Sequence, residues 1–263
     1  MQISGTWRLI SRVFLPFAAG YYLSYLYRTI NALIASHLSS DTALGTADLG
    51  LLTSVYFLIF AAAQIPVGIL LDRFGPRRVQ SVLLLLAAAG AGLFAISTGF
   101  LSLLIARAMI GLGVAAALTA GLKSIVLWFP RERVALLNGY MIMLGSLGAV
   151  TATVPVEYLL AWMSWRQLFE ILAAATGATA IFIYVVVPER GIVPSAACAT
   201  LSSVFSDRRF WRMAPLSATC VGSAWSLQGL WASPWLMDVE GLDRASLVGQ
   251  LFIMSVVLSV GAW

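Results

Sequence analysis

Gly68-Ile69-Leu70-Leu71-Asp72-Arg73-Phe74-Gly75-Pro76-Arg77-Arg78 is a short, strongly charged break between two long apolar runs. A hydrocarbon core of about 30 Å takes about 20 residues of helix, and the runs on both sides have that length. A Gly-Pro step followed by arginines ends one helix and starts the next, so the stretch reads as a tight turn on one face of a membrane. Working outward with the same criterion gives eight apolar runs, at about 13–35, 49–71, 79–97, 101–127, 135–157, 167–187, 211–236 and 246–263, the last cut short. The expected fold class is an all-α membrane protein.

Composition agrees. Of 263 residues 60% are hydrophobic and 10% charged, with a mean hydropathy of +0.92, whereas soluble domains carry about 25% charged residues. Such a chain cannot coat its own surface with charge, which excludes a soluble globule as well as disordered, collagenous and coiled-coil chains. Arg8 and Arg12 before an apolar run, with Ala18-Ala19-Gly20 inside it, have the look of a secretory leader. The run continues to Ala35 and seven more follow, so it reads as an uncleaved first span.

The net charge of +5 is topological and does not point to nucleic acid. With the N-terminus placed inside, the inner segments hold eleven of the sixteen basic residues and the outer segments only Arg166 and Arg244; Arg28, Arg107 and Lys123 fall within spans. That asymmetry predicts a cytoplasmic N-terminus. Small residues at 87–92, 111–117, Gly145 and Gly148 provide for close helix packing. Cys198 and Cys220, one in a loop and one in a span, form neither a disulfide framework nor a metal cluster, and His37 alone makes no zinc site.

Three embedded cations face no deep carboxylate. Arg28 lies beyond the middle of the first span, and Tyr21, Ser24 or Tyr25, and Asn31 or Ala32 share its face at helical spacing. A polar, aromatic stripe does not suit lipid, so it is expected to line a cavity with Arg28 as an anion-binding group; the alternative is an arginine snorkelling to the outer interface. Arg107 costs about 2.5–3.5 kcal/mol to insert on biological scales and must face a cavity or a polar partner. It serves either substrate and coupling or the capping of carbonyls near the outer end. Lys123 lies about 160° round the helix from Arg107 and near the inner end, where ligand binding and snorkelling stay open.

The quoted loop, with Gly68, Asp72, Arg73, Gly75, Arg77 and Arg78 at fixed offsets, resembles the signature between the second and third helices of the major facilitator superfamily (MFS). Pro76 replaces a residue that is often basic there. The resemblance implies twelve helices in two six-helix halves, with Asp72 latching the halves on the cytoplasmic side in the outward-facing form. The bland alternative is that these arginines only set topology and touch lipid phosphates. Arg107, Gly111 and Gly113 resemble the family's pattern in the fourth helix.

Tyr21 to Leu38, and Lys123 to Arg133, resemble the organophosphate and organic-anion branch, in which an arginine at the place of Arg28 binds the anion. The partner arginine that phosphate exchangers carry in the seventh helix is missing. Residues 222–234 offer no arginine, only uncharged polar side chains such as Ser226 and Gln228, which argues against phosphate itself. Trp165-Arg166 resembles a family pair, and Glu157 and Glu170 are expected to pair with Arg166. The fifth span lacks the Gly-Pro motif of drug antiporters. No phosphate-binding loop or nucleophile elbow supports an enzyme, and no cofactor is implied.

The combined expectation is an MFS fold truncated at helix eight: a six-helix half over 1–188, a cytoplasmic loop over 189–210, and the first two helices of a second half over 211–263. Its expected function is secondary transport of a small anionic organic solute by alternating access and proton symport. Tyr25, Arg28, Asn31 and Lys123 are expected at the substrate, in a monomer in the cell membrane. The alternatives are a non-transporting receptor or assembly partner, and an exporter of hydrophobic compounds.

Overall fold

The computed structural model describes residues 7–42, 44–189, 205–227 and 231–261. Most of the loop expected at 189–210, with Cys198, and Gln228 of the seventh span lie outside the described residues. All regular structure among the described residues is helical.

Helix α1 (Leu15–Thr42) follows a π-helical turn at Ile10–Phe14 and runs longer than the apolar pattern suggests, taking His37 into its last turns. Helix α2 (Thr46–Ile96) contains both the second and third expected spans, broken at Gly75 with φ 79° and ψ 162°. That conformation is open essentially to glycine alone, and Pro76 then occupies a favoured first helical position. The break reverses the chain. Tyr56 and Ala87 would stand about 45 Å apart on one straight helix, yet both touch one turn of α3 (Phe100–Gly113). A Cβ on Gly111 would lie 2.6 Å from the Tyr56 carbonyl oxygen, and one on Gly113 would lie 2.4 Å from the Ala87 nitrogen. Only residues without side chains let the two arms close on α3 together.

The fourth expected span is two helices, α3 and α4 (Ala117–Trp128), joined through Val114–Ala116 by tightened turns in which Ala115 N donates to Leu112 O and Ala117 N to Val114 O. The fifth is likewise divided, into α5 (Arg131–Thr151) and α6 (Val154–Leu160), with Pro155 in the first turn of the second piece. Helix α7 (Trp165–Val186) starts from a reciprocal cap between Ser164 and Gln167. Helices α8 (Arg208–Ser226) and α9 (Arg244–Gly261) follow.

Thr46–Ile96, Phe100–Trp128, Arg131–Leu160 and Trp165–Val186 are long and apolar enough to cross a membrane. The first of them crosses twice. Two buried clusters are stacked along the bundle. Phe17, Leu71, Val79, Met141 and Ile183 lie toward the end bearing the basic loop, and Tyr27, Leu52, Phe94, Leu103 and Phe169 lie toward the opposite end. The outer faces carry Leu58, Ile65, Val82, Ile105, Leu136, Ile181 and Val185 in exposed positions, an apolar belt suited to lipid.

Candidate functional site

The break between α3 and α4 opens a cavity of about 510 Å³ in the middle of the bundle. Its wall includes Tyr21, Ser24 and Arg28 of α1, Phe57, Phe60 and Gln64 of α2, Ala115 of the break, Thr119 of α4, and Gly222 and Ser226 of α8. Irregular backbone at membrane depth survives where it borders a cavity or finds a partner. Here Gln64 Nε2 donates to the Ala115 carbonyl at 3.4 Å and to Phe60 O at 3.2 Å.

Arg28 is 6% exposed. Its guanidinium lies 4.8 Å from the centre of the Tyr25 ring and 5.4 Å from that of Phe60, and Tyr25 meets Tyr21 edge-on at 5.1 Å. Ring faces attract a cation and hold its plane without neutralising it. The result is a positive charge fixed in the cavity wall, among mostly apolar surfaces and a few hydroxyl and amide groups.

Asn31, expected at the substrate, and Arg107, expected to serve substrate and coupling or to cap carbonyls, form a separate centre. Arg107 is 1% exposed; its Nη2 donates to Asn31 Oδ1 and its Nη1 to the Tyr27 carbonyl at 3.5 Å. The guanidinium lies over Phe94 at 4.6 Å and near Phe169 at 5.7 Å. Asn31 Nδ2 donates to Thr53 Oγ1 at 2.5 Å, and the Tyr27 and Thr176 hydroxyls are 2.9 Å apart. This network joins α1, α2, α3 and α7 inside the bundle, away from the cavity wall.

Lys123 and the residues of the signature loop gather at the basic end. Lys123 Nζ donates to Asp72 Oδ1 at 2.5 Å and to Leu71 O at 2.9 Å, which places Lys123 at the loop. Arg73 lies over Phe74 at 5.2 Å. Arg77 Nε donates to Tyr184 O at 2.8 Å, and Arg77 and Arg78 both pair with Glu189, so the loop fastens α2 to the end of α7. A Cβ on Gly68 would meet open space.

Pairing at the other end differs from expectation. Glu157 engages Arg244, not Arg166. Arg166 Nη1 instead donates to the carbonyls of Ala95 (2.9 Å) and Ser97 (2.6 Å), which end a helix and attract a cation. Sequence spacing did not reveal Gln64, Thr119 or Phe60 as cavity residues, because helix-helix register decides which face of α2 and α4 turns inward.

A helical bundle with apolar outer sides, folded round a central cavity with Arg28 in its wall, is the architecture of a polytopic membrane protein. The chain belongs to the Major Facilitator Superfamily, whose family model matches residues 17–263. It is 25% identical to the uncharacterized transporter YybO of Bacillus subtilis (strain 168), over 92% of this chain and 61% of that protein. It is 26% identical to the hexuronate transporter of Escherichia coli (strain K12), over 90% of this chain and 59% of that one. The chain thus spans about 60% of the length of these curated relatives. Among solved structures, a bacterial homologue of the human lysosomal transporter Spinster, in an inward-facing and occupied conformation, superposes with a TM-score of 0.71 at 20% identity. That match covers 95% of this chain and 58% of the other. The family and these relatives are transporters rather than enzymes.

Proposed function

We propose that this chain serves secondary transport of a small organic anion, with Arg28 as the group that binds the anionic end of the solute. The observation that carries the reading is the Arg28 guanidinium, fixed between Tyr25 and Phe60 in the wall of the cavity. A carboxylate or sulfonate entering that cavity gains charge-assisted hydrogen bonds in a low-dielectric site. Ser24, Gln64, Thr119 and Ser226 provide donors and acceptors for its polar substituents, and the hexuronate specificity of one relative supports a hydroxylated carboxylate.

Orientation follows from charge: the arginine-rich loops face the cytoplasm, and the N-terminus with them. Residues 1–188 form the first half, 189–210 the loop between halves, and 211–263 the start of the second, in a monomer that rocks about the cavity. Inward movement is driven by protons. The Arg107 centre, which lies off the cavity wall, takes the role of coupling or holding the helices and not that of first contact with the solute.

Uptake by the whole protein in proteoliposomes tests this. Uronates, short hydroxycarboxylates and sulfonates are offered with and without an inward proton gradient. Loss of a charge-assisted bond of about 1.5–3 kcal/mol makes Arg28→Gln at least about tenfold slower in uptake at low solute concentration. Saturable uptake that is indifferent to Arg28→Gln, or absent for every anion, overturns the proposal.

A further inference from the structure

At the end of the bundle opposite the basic loop, three residues from distant parts of the chain meet. Arg244 opens α9, Glu157 lies in α6 and His37 in the last turns of α1. Arg244 Nε donates to Glu157 Oε1 at 2.5 Å and Nη2 to Oε2 at 2.8 Å, a two-point pairing. Nη2 also lies 3.2 Å from His37 Nε2.

The pairing spans the molecule. Arg244 follows the long loop at 189–210, whereas Glu157 and His37 precede it, so the guanidinium ties the last helix to the first and fifth spans. The ion pairs at the other end have the opposite character. Asp72, 82% exposed, pairs with Lys123 of the same helical group, and Glu189 with Arg77 and Arg78. The cavity residues Tyr21, Gln64 and Thr119 lie toward that basic end. Among the described residues, the ion pair that joins helices on the two sides of the long loop lies at the end near Arg244, whereas the pairs at the Asp72 end join segments that all precede residue 190.

His37 makes the fastening sensitive to protons. A guanidinium has only N–H donors, so its hydrogen bond to Nε2 requires an unprotonated ring nitrogen. When the ring gains a proton, Nε2 becomes a donor, and two cations stand about 3 Å apart with the Glu157 carboxylate bonded to only one of them. Histidine is the side chain whose charge changes near neutral pH.

The other charged groups of these helices are bonded elsewhere or exposed. Asp41 on α1 accepts from Trp165 Nε1 at 2.8 Å, Asp48 on α2 accepts from Gly45 N, and Arg166 on α7 holds the Ala95 and Ser97 carbonyls. Glu170 on α7, and Asp238 and Glu240 before α9, are exposed. Asp243 is bonded to Ser246, which holds its carboxyl below the usual carboxylate range. We propose that His37, Glu157 and Arg244 form a proton-operated outer gate: the neutral histidine completes the closed fastening, and a proton arriving from outside on His37 releases Arg244 and lets the outer end open. This rests on the transport reading above and places a proton-binding step at the outer mouth, apart from the solute cavity.

The test measures distance across the outer end by electron–electron resonance between spin labels. The labels sit on cysteines at Trp162, 78% exposed, and Val239, 62% exposed, in the whole protein with Cys198 and Cys220 changed to serine, reconstituted in lipid. The expected result is one short distance at about pH 8 and a longer population at about pH 5. His37→Gln stays short at both, and His37→Arg and Glu157→Gln are long at both. Acid lengthening that persists in His37→Gln, no acid effect in the wild-type background, or a short distance in His37→Arg overturns the gate. No solute enters this measurement, so the outcomes separate: a proton-dependent opening without anion uptake removes the proposed solute and leaves the gate. Uptake that depends on Arg28 with a pH-indifferent outer end removes the gate alone.

Discussion

At the scale of single residues, two arginines one helix apart are treated in different ways. Arg28 is held by ring faces in the cavity wall, the position from which it is proposed to meet a solute. Arg107 is spent internally on the Asn31 oxygen and the Tyr27 carbonyl. Removing one partner of a buried charge costs more than the pair itself contributes. Asn31→Leu is therefore expected to destabilise the protein by about 3 kcal/mol, read as a clear drop in melting temperature by tryptophan fluorescence in detergent. Asn31→Asp, which gives Arg107 a carboxylate of the same size, is expected to keep or raise it. Equal melting of Asn31→Leu and the parent would show that Arg107 is not held this way. The sequence made the polar stripe Tyr21, Tyr25, Arg28 and Asn31 legible, because a helix sets three- and four-residue neighbours on one face. It did not separate Arg28 from Asn31. Those two lie three positions apart, and the 60° between them is enough to turn one to the cavity and the other to Arg107.

At the scale of helices, the loop 68–78 owes its spacing to mechanics as much as to charge. Gly75 alone can take φ 79° with ψ 162°, so Gly75→Ala is expected to cost about 1–3 kcal/mol and to lower both melting temperature and the yield of folded protein. Gly68→Ala, with open space around the new methyl group, is expected to melt within about 0.5 kcal/mol of the parent. Equal effects of the two substitutions would contradict this division of labour. Gly111→Ala pushes a methyl group into the Tyr56 carbonyl, an overpacking expected to cost about 1–3 kcal/mol and to displace the arm of α2 that lines the cavity. The second to sixth apolar runs were legible as helical segments, since about 20 apolar residues between charges is a strong signal. The divisions at Val114–Ala116 and at Ala152–Thr153 were not. The first has no proline to mark it and depends on Gln64 reaching across from another helix, a tertiary event that no local pattern encodes.

At the scale of the whole molecule, the two ends of the bundle carry unlike fastenings, and their states are linked because one rigid body cannot tighten at both ends while it rocks about a central cavity. With Arg244 on Glu157 and Asp72 on Lys123, the outer gate proposed above predicts that the cavity is reached from the basic end. A cysteine at Thr119 in the cavity wall, with Cys198 and Cys220 replaced by serine, is expected to react with a membrane-impermeant maleimide from the face that labels Glu132→Cys. It should not react from the face that labels Thr98→Cys; both marker positions are exposed, Thr98 in a loop and Glu132 in the first turn of α5, at opposite ends. Sealed right-side-out and inverted vesicles tell the faces apart, and the positive-inside rule makes the Glu132 face cytoplasmic. Arg244→Gln, which removes the outer fastening, is expected to make Thr119→Cys reactive from both faces. Asp72→Asn loses only an exposed pair worth at most about 1 kcal/mol in this conformation; if Asp72 also latches the alternative, outward-open conformation, the same substitution raises labelling from the cytoplasmic face. Labelling of Thr119→Cys from the Thr98 face in the parent protein would reverse the assignment of which end is closed.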